Sequence, residues 1–301
     1  MDFKNINSLV RYKTLPPWTE STLPKTFQTK HNTKPGTWGK ITVEFGQLQY
    51  DALNQAGKVI ASEIITPAHH EFFVAPEAWH RVKPMGELRC FVEFYCRPQD
   101  YFPKKYQFAP PHGDVKKLMA GPLAKHSNLN ILDLGCGQGR NAVYLYSLNH
   151  RVTALDKNVG AIESLQKISR LEKTADRFQA HYYDIESATL CEHCENGKPY
   201  DLIISTVVFQ FLREEAISAV IADMQAHTKD GGYHFIIAPV SSPTTPCPID
   251  FPSTFAPQEL SNYYHDWQIL SYQEQSGTFH RKDSNGQPIQ AVFATLLARK
   301  R

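Results

Sequence analysis

The 301-residue chain reads as a small antiparallel all-β unit followed by an α/β unit built on a doubly wound, mostly parallel seven-stranded sheet. Three observations predict this. Residues 1–96 hold short alternating segments and no convincing helical periodicity. From residue 130 onward, apolar strands alternate with amphipathic helices. The tail carries two strands with no helix between them. The length itself is about twice that of a typical domain.

Each element follows from its residues. Lys40-Ile41-Thr42-Val43-Glu44-Phe45 alternates apolar and polar side chains, the pattern of a half-buried strand. Further strands at 48–53, 58–65, 70–75 and 88–95, set off by Gly, Pro and Asn, predict a small sandwich or barrel. Residues 97–126 form a linker, Pro-punctuated between Tyr101 and Pro111, with a leading helix at 113–125. The charge changes with it: 11 basic and 9 acidic residues in 1–96, 6 and 2 in 97–126, 15 and 19 in 127–301. The basic linker reads as a solvated stretch, attraction of an anionic ligand being the other reading. Strands at 131–134, 151–155, 178–183, 202–205 and 233–238 alternate with helices at 141–148, 161–171 and 214–227. That rhythm puts helices on both faces of a parallel sheet. Strands 267–275 and 289–297 meet through Asp283-Ser284-Asn285-Gly286 as an antiparallel hairpin. The domains are therefore 1–96, the linker 97–126, and 127–301.

Composition excludes several classes. With 42% hydrophobic and 21% charged residues the chain is an ordinary folded protein. No apolar run approaches the roughly 20 residues of a membrane span, and the first residues show no signal peptide. A net charge of +2 gives no general nucleic-acid or membrane surface. Six cysteines without framework spacing, and no export signal, predict reduced thiols in the cytoplasm. Cys191-Glu192-His193-Cys194 lacks a second ligand pair and reads as a solvated loop.

The sharpest local signal is Asn130-Ile131-Leu132-Asp133-Leu134-Gly135-Cys136-Gly137-Gln138-Gly139-Arg140-Asn141, a strand ending in a glycine-rich turn that opens a helix. Glycines let the backbone approach a cofactor where a Cβ would clash. Spacing decides against a dinucleotide: its third glycine falls five residues after the first, whereas here it falls at four and Arg140 holds the fifth position. Asp156, ending the second strand before Lys157, is placed to accept from a ribose diol.

Asp133-Leu134-Gly135-Cys136-Gly137-Gln138-Gly139 followed by Asp156 resembles motif I of class I S-adenosylmethionine-dependent methyltransferases, a Rossmann-like family whose sheet also ends in an antiparallel hairpin. The resemblance implies S-adenosylmethionine as cofactor. It places Asp133, Gly135, Cys136, Gly137, Arg140, Asn141, Asp156 and Lys157 around it, with Asp184 and Ile185 at the adenine and Thr206 and Val207 under the methionine part. Asp184 could instead cap a turn. Gly135 through Asn141, Ser205-Thr206-Val207-Val208-Phe209, Gly231-Gly232-Tyr233 and Phe293-Ala294-Thr295-Leu296-Leu297-Ala298-Arg299-Lys300 resemble, more specifically, the TehB tellurite-resistance methyltransferases. Leu15-Pro16-Pro17-Trp18 and Ala75-Pro76-Glu77-Ala78-Trp79-His80 resemble the cupin-like, YeaR-type domain that precedes the enzyme in the longer variety of that family.

The implied substrate is tellurite, selenite or a related oxyanion, a small anion that brings its own lone pair. Its site calls for Arg and His rather than a carboxylate base. The resemblance assigns that role to His280 and Arg281 in Thr278-Phe279-His280-Arg281, with a solvated hairpin turn as the bland alternative. Cys247, in a Pro-rich loop after the fifth strand, is either a substrate-side thiol or an inert small hydrophobe. His31, His69, His70 and His80 form an incomplete ligand set, so no metal is expected. A small organic thiol, amine or carboxylate is the alternative acceptor, and sequestration of an oxyanion by the N-terminal domain the alternative function. A homodimer is compatible with all of these.

Overall fold

Alternation of buried and exposed side chains sets the N-terminal architecture. The computed structural model describes residues 8–69, 71–190 and 198–301, which divide into two units, Met1–Gln107 and Phe108–Arg301. The break falls within the stretch 97–126.

In the first unit β1 (Val10–Thr14), β2 (Trp18–Thr19), a short α1 (Lys25–Gln28), β3 (Trp38–Leu53), β4 (Val59–Ile65), β5 (Phe72–Val74) and β6 (His80–Cys96) precede α2 (Tyr101–Tyr106). The six strands form an antiparallel sheet ordered β1-β6-β3-β4, with β2 against β6 and β5 against β3. The expected strands 40–45 and 48–53 are one strand. The register against β6 shifts at Val43/Phe45 and Gly46/Leu48, so the glycine marks a bulge rather than a turn. Gly46 has φ +80°, and a Cβ there would lie 2.0 Å from the Glu87 carbonyl oxygen. The core holds Ile41, Val43, Leu48, Ile65, Val74, Val82, Leu88 and Cys90.

His80 is buried, stacked on Tyr50, with its ring centroid 4.1 Å from that of His31. Each Nδ1 lies beside a backbone carbonyl, of Ala78 at 2.8 Å and Thr29 at 2.9 Å. Burial pulls His80 down to about 4 and lowers His31 as well. His69 faces Glu63 at 3.7 Å, and His70 lies outside the described residues. Among the described residues no three His, Cys, Asp or Glu side chains converge as metal ligands.

In the second unit α3 (Gly113–Ala120) leads to β7 (Asn130–Leu134), α4 (Arg140–Ser147), β8 (Arg151–Asp156), α5 (Val159–Glu172), β9 (Phe178–Tyr182), β10 (Tyr200–Thr206), α6 (Glu214–Ala226), β11 (Thr228–Val240), α7 (Glu259–Asn262), β12 (Gln268–Lys282) and β13 (Pro288–Arg299). The seven-stranded sheet runs β12-β13-β11-β10-β7-β8-β9. The five strands from β7 to β11 are parallel, and β13 runs antiparallel to both its neighbours, β11 and β12. The central strands are buried along nearly their whole length, as a sheet covered on both faces requires. Asn158 caps α5, its side-chain oxygen accepting from the Ala161 amide at 3.0 Å. Asp283 Oδ1 closes the β12–β13 turn by accepting from the amides of Asn285 and Gln287, each at 2.8 Å. Because the chain leaves β7 toward β8 and β9 and returns to β10 beside β7, the sheet reverses direction between β7 and β10. Ligands of open α/β sheets bind beyond the carboxyl ends of strands at such a reversal. No helix of the described residues is long and apolar enough to cross a membrane.

Candidate active site

Beyond β7 the chain turns through residues 135–139. The amides of Gly135 and Cys136 both donate to the Leu155 carbonyl, at 2.8 and 3.0 Å, and that of Gly139 to Cys136. Gly137 donates to Asp156 Oδ2 at 2.7 Å, while Asp156 Oδ1 accepts from the Asn158 amide at 2.8 Å. One carboxylate thus ties the glycine turn to the end of β8, and each oxygen keeps acceptor capacity.

The three glycines serve different ends. All have positive φ: +75°, +55° and +84° at 135, 137 and 139. A Cβ at Gly135 would lie 2.4 Å from Val208, and one at Gly139 2.5 Å from Leu165. Packing against β10's exit and α5 therefore demands those two. A Cβ at Gly137 would meet nothing within 4 Å, so only this glycine faces open space.

Beneath the turn Asp133 is fully buried and neither carboxylate oxygen has a hydrogen-bond partner of ordinary geometry. Burial, with the Asp156 charge adding, pushes its carboxyl up to about 7, although the Ala142 amide and the Arg140 guanidinium oppose the rise. The same surroundings push the Cys136 thiol well above its usual range. Lys157 is exposed. Asp184 Oδ1 accepts from the Glu186 amide at 3.2 Å, so it does cap a turn, and Ile185 packs on the core.

Val207, where β10 ends, has φ +60°, a left-handed conformation that costs a β-branched residue about 1–2 kcal/mol. Two bonds impose it: its amide donates to the Ile237 carbonyl at 2.7 Å, and its carbonyl accepts from Gln210 Nε2 at 2.8 Å. Asn141 is buried with both ends of its amide engaged, by His112 and Thr206.

A cavity of about 400 Å³ opens here, lined by Arg140, Val207 and Ile237, by His112, Asp114 and Lys117 of the α3 segment, and by β12 and β13 residues including Gln273, Gln275, Thr278, Phe279 and Phe293. Lys117 Nζ lies 2.8 Å from Asp114 Oδ1, leaving no unpaired carboxylate among the lining residues. Arg281 is exposed two residues beyond Phe279 and does not line the cavity. The side chain of His280, like Cys191 and Cys194, lies outside the described residues. Cys247 is half-buried, its amide donating to Ser241 Oγ at 3.0 Å, and it too is absent from the lining. His112 and Lys117 come from the basic stretch 97–126, whose reading as solvated left attraction of an anionic ligand as the alternative. Chemically, an open glycine, a carboxylate held by two amides and a buried unpartnered carboxylate suit a cationic ligand carrying a diol.

Comparison with known proteins agrees. Residues 94–297 match the family model described as "Tellurite resistance protein TehB", and residues 13–92 the "TehB-like domain". The chain is 45% identical over 296 residues to "Probable S-adenosyl-L-methionine-dependent methyltransferase TehB" of Haemophilus influenzae (strain 10810), covering 98% of this chain and 99% of the relative. It is 37% identical over 249 residues to "Hemagglutinin 1" of Eikenella corrodens, covering 82% and 79% of the two chains. The crystal structure of TehB from Haemophilus influenzae superposes with a TM-score of 0.82 at 44% identity, covering 98% of this chain and 99% of that one. The chain therefore belongs to the TehB family of S-adenosylmethionine-dependent methyltransferases.

Proposed function

We propose that the enzyme transfers the methyl group of S-adenosylmethionine to tellurite, and by the same chemistry to selenite, in the cavity beside Arg140 and Val207, and so contributes to tellurite resistance. The observation that carries this is the cavity's lining: three groups able to hold an anion, His112, Lys117 and Arg140, and a carboxylate only in an ion pair. On this reading Asp156 accepts from the ribose, Gly137 and Cys136 lend backbone beneath the nucleoside, Asp184 and Ile185 flank the adenine, and Thr206 and Val207 support the methionine part. Asp133, buried before the turn, would complement the cofactor's positive charge. The cofactor would supply an electrophilic methyl, its S–CH3 bond breaking as the acceptor's lone pair bonds to carbon, to leave S-adenosylhomocysteine. The chain's own residues hold the acceptor in line and near 3 Å, the requirement of a displacement. Arg140 and Lys117 neutralise the oxyanion, Gln273, Gln275 and Thr278 orient it, and Phe279 and Phe293 exclude water. A chalcogen lone pair needs no proton removed, and a lining whose one carboxylate is held in an ion pair is consistent with that.

A second reading has its own observation. A volume of about 400 Å³ is roughly ten times a water molecule's share of liquid, and with two phenylalanines in the wall it would also take a small organic acceptor. Calorimetric titration of S-adenosylmethionine with and without tellurite, followed by mass spectrometry for methylated tellurium, separates the two. Methylated tellurium supports the proposal. Cofactor binding without it, alongside turnover of an organic thiol that tellurite does not inhibit, refutes it.

A further inference from the structure

We propose that Asn141 is a positioning residue: it latches the segment bearing His112 and Lys117 to the cofactor end of β10, and thereby sets affinity for the acceptor rather than for the cofactor. The proposal rests on the reading of the cavity as the acceptor site. Asn141, second residue of α4, is 4% exposed. Its Oδ1 accepts from the His112 amide at 2.8 Å, 29 positions earlier, and its Nδ2 donates to Thr206 Oγ1 at 3.0 Å, 65 positions later. One planar group thus joins the entry to α3, the start of α4 and the end of β10. Only a carboxamide places an acceptor and a donor side by side on so short a stem; aspartate lacks the donor and leucine both.

The His112 amide is where such a latch has most leverage. Pro110 and Pro111 carry no N–H, so His112 offers the first backbone donor at the entry to α3. His112 is also the cap of that helix, its Nδ1 accepting from the Asp114 amide at 3.2 Å. Pinning one amide therefore fixes the imidazole and the start of the helix together, and Lys117 follows within about one turn. At its other end the latch meets Thr206, next to the strained Val207, so the cation-bearing segment takes its register from the floor of the cavity.

The test uses the full chain with Asn141→Leu and Asn141→Asp. Leucine removes the acceptor of the part-buried His112 amide, and the loosened latch is expected to raise the KM for tellurite about tenfold. Affinity for S-adenosylmethionine, by calorimetry, stays within about threefold. Amide exchange at 108–120 accelerates by about the same tenfold while β7 keeps its protection. Asn141→Asp, which retains the acceptor, keeps exchange at 108–120 slow. A loss of cofactor affinity matching the rise in KM overturns the proposal by making Asn141 a cofactor ligand. Unchanged exchange at 108–120, or equal loss of protection in β7, overturns it as well. Lys117→Ala together with Arg140→Ala, if without effect on the acceptor's KM, refutes the cavity reading and the kinetic half of this proposal with it; exchange at His112 then judges the latch alone.

Discussion

Gly137→Ala separates the cofactor's demand on the glycine turn from the fold's. A Cβ at 137 meets nothing within 4 Å, so its intrinsic cost comes from the φ of +55°. That is about 1–2 kcal/mol for a residue other than glycine, offset by about 0.4–1 kcal/mol from a less flexible unfolded chain. The net, about 1 kcal/mol, lowers Tm by about 2–4 °C for a unit of this size. At 135 and 139 the added methyl falls 2.4 Å from Val208 and 2.5 Å from Leu165. Overpacking there adds about 1–3 kcal/mol to the same backbone cost. Thermal melts of the three alanine variants should therefore rank 137 well above 135 and 139. Calorimetry should show the opposite tolerance for the ligand: Gly137→Ala folds, yet binds S-adenosylmethionine at least about tenfold more weakly, or about 1.4 kcal/mol, because the methyl occupies the open space above the turn. Unchanged cofactor affinity in Gly137→Ala would sink the idea that this space belongs to the nucleoside.

Other consequences are as specific. Burial holds the Asp133 carboxyl at about 7 against 3.8 unperturbed. Stability from this raised value is fully present below about pH 4 and lost as pH rises through 7, up to about 4 kcal/mol. Urea unfolding of the cofactor-free protein at pH 5 and pH 8 should show the part of that loss lying between them, about 2–3 kcal/mol, and Asp133→Asn should lack it; identical pH dependence in both proteins would contradict the assignment. His80 has the opposite sign: depressed to about 4 from 6.5, it contributes stability above pH 6.5 that is lost as pH falls toward 4, up to about 3 kcal/mol. His80→Phe should flatten this acid limb of the first unit's unfolding curve, and an unaltered limb would place its origin elsewhere. Arg140→Ala or Lys117→Ala should raise the acceptor's KM several-fold, by an amount that shrinks with added salt, whereas Arg281→Ala should do less. The reverse ranking would return the anion site to the end of β12.

Much of the fold was legible because one periodicity dominated each half. Period-two alternation in 40–45 and the strand–helix rhythm after residue 130 both survive in the structure with ends displaced by a few residues. The sequence reading stumbled where a residue has two meanings. Gly46 and Gly86 punctuate like turns, yet Gly46 sits in a bulge against Glu87 within the long antiparallel pair of β3 and β6. Glycine's freedom is needed equally for a turn and for a bulge, and only the partner strand decides.

The site divides along the same line. The glycine turn and Asp156 were legible because they lie within 25 residues of one another in strand-end positions with fixed roles. The cavity was not, because His112, Lys117, Gln273, Phe279 and Phe293 come from separate segments and none is unusual for its own. Val207 goes further, since its residue type argues against the conformation it adopts. A β-branched residue at φ +60° would be relieved by glycine, and two hydrogen bonds, to Ile237 and from Gln210, hold it there regardless. It lines the cavity, and Val208 beside it packs where a Cβ at Gly135 would fall. The strain is thus the cost of setting one valine at the cavity and the next against the glycine turn, a break in local preference of the kind found at functional sites.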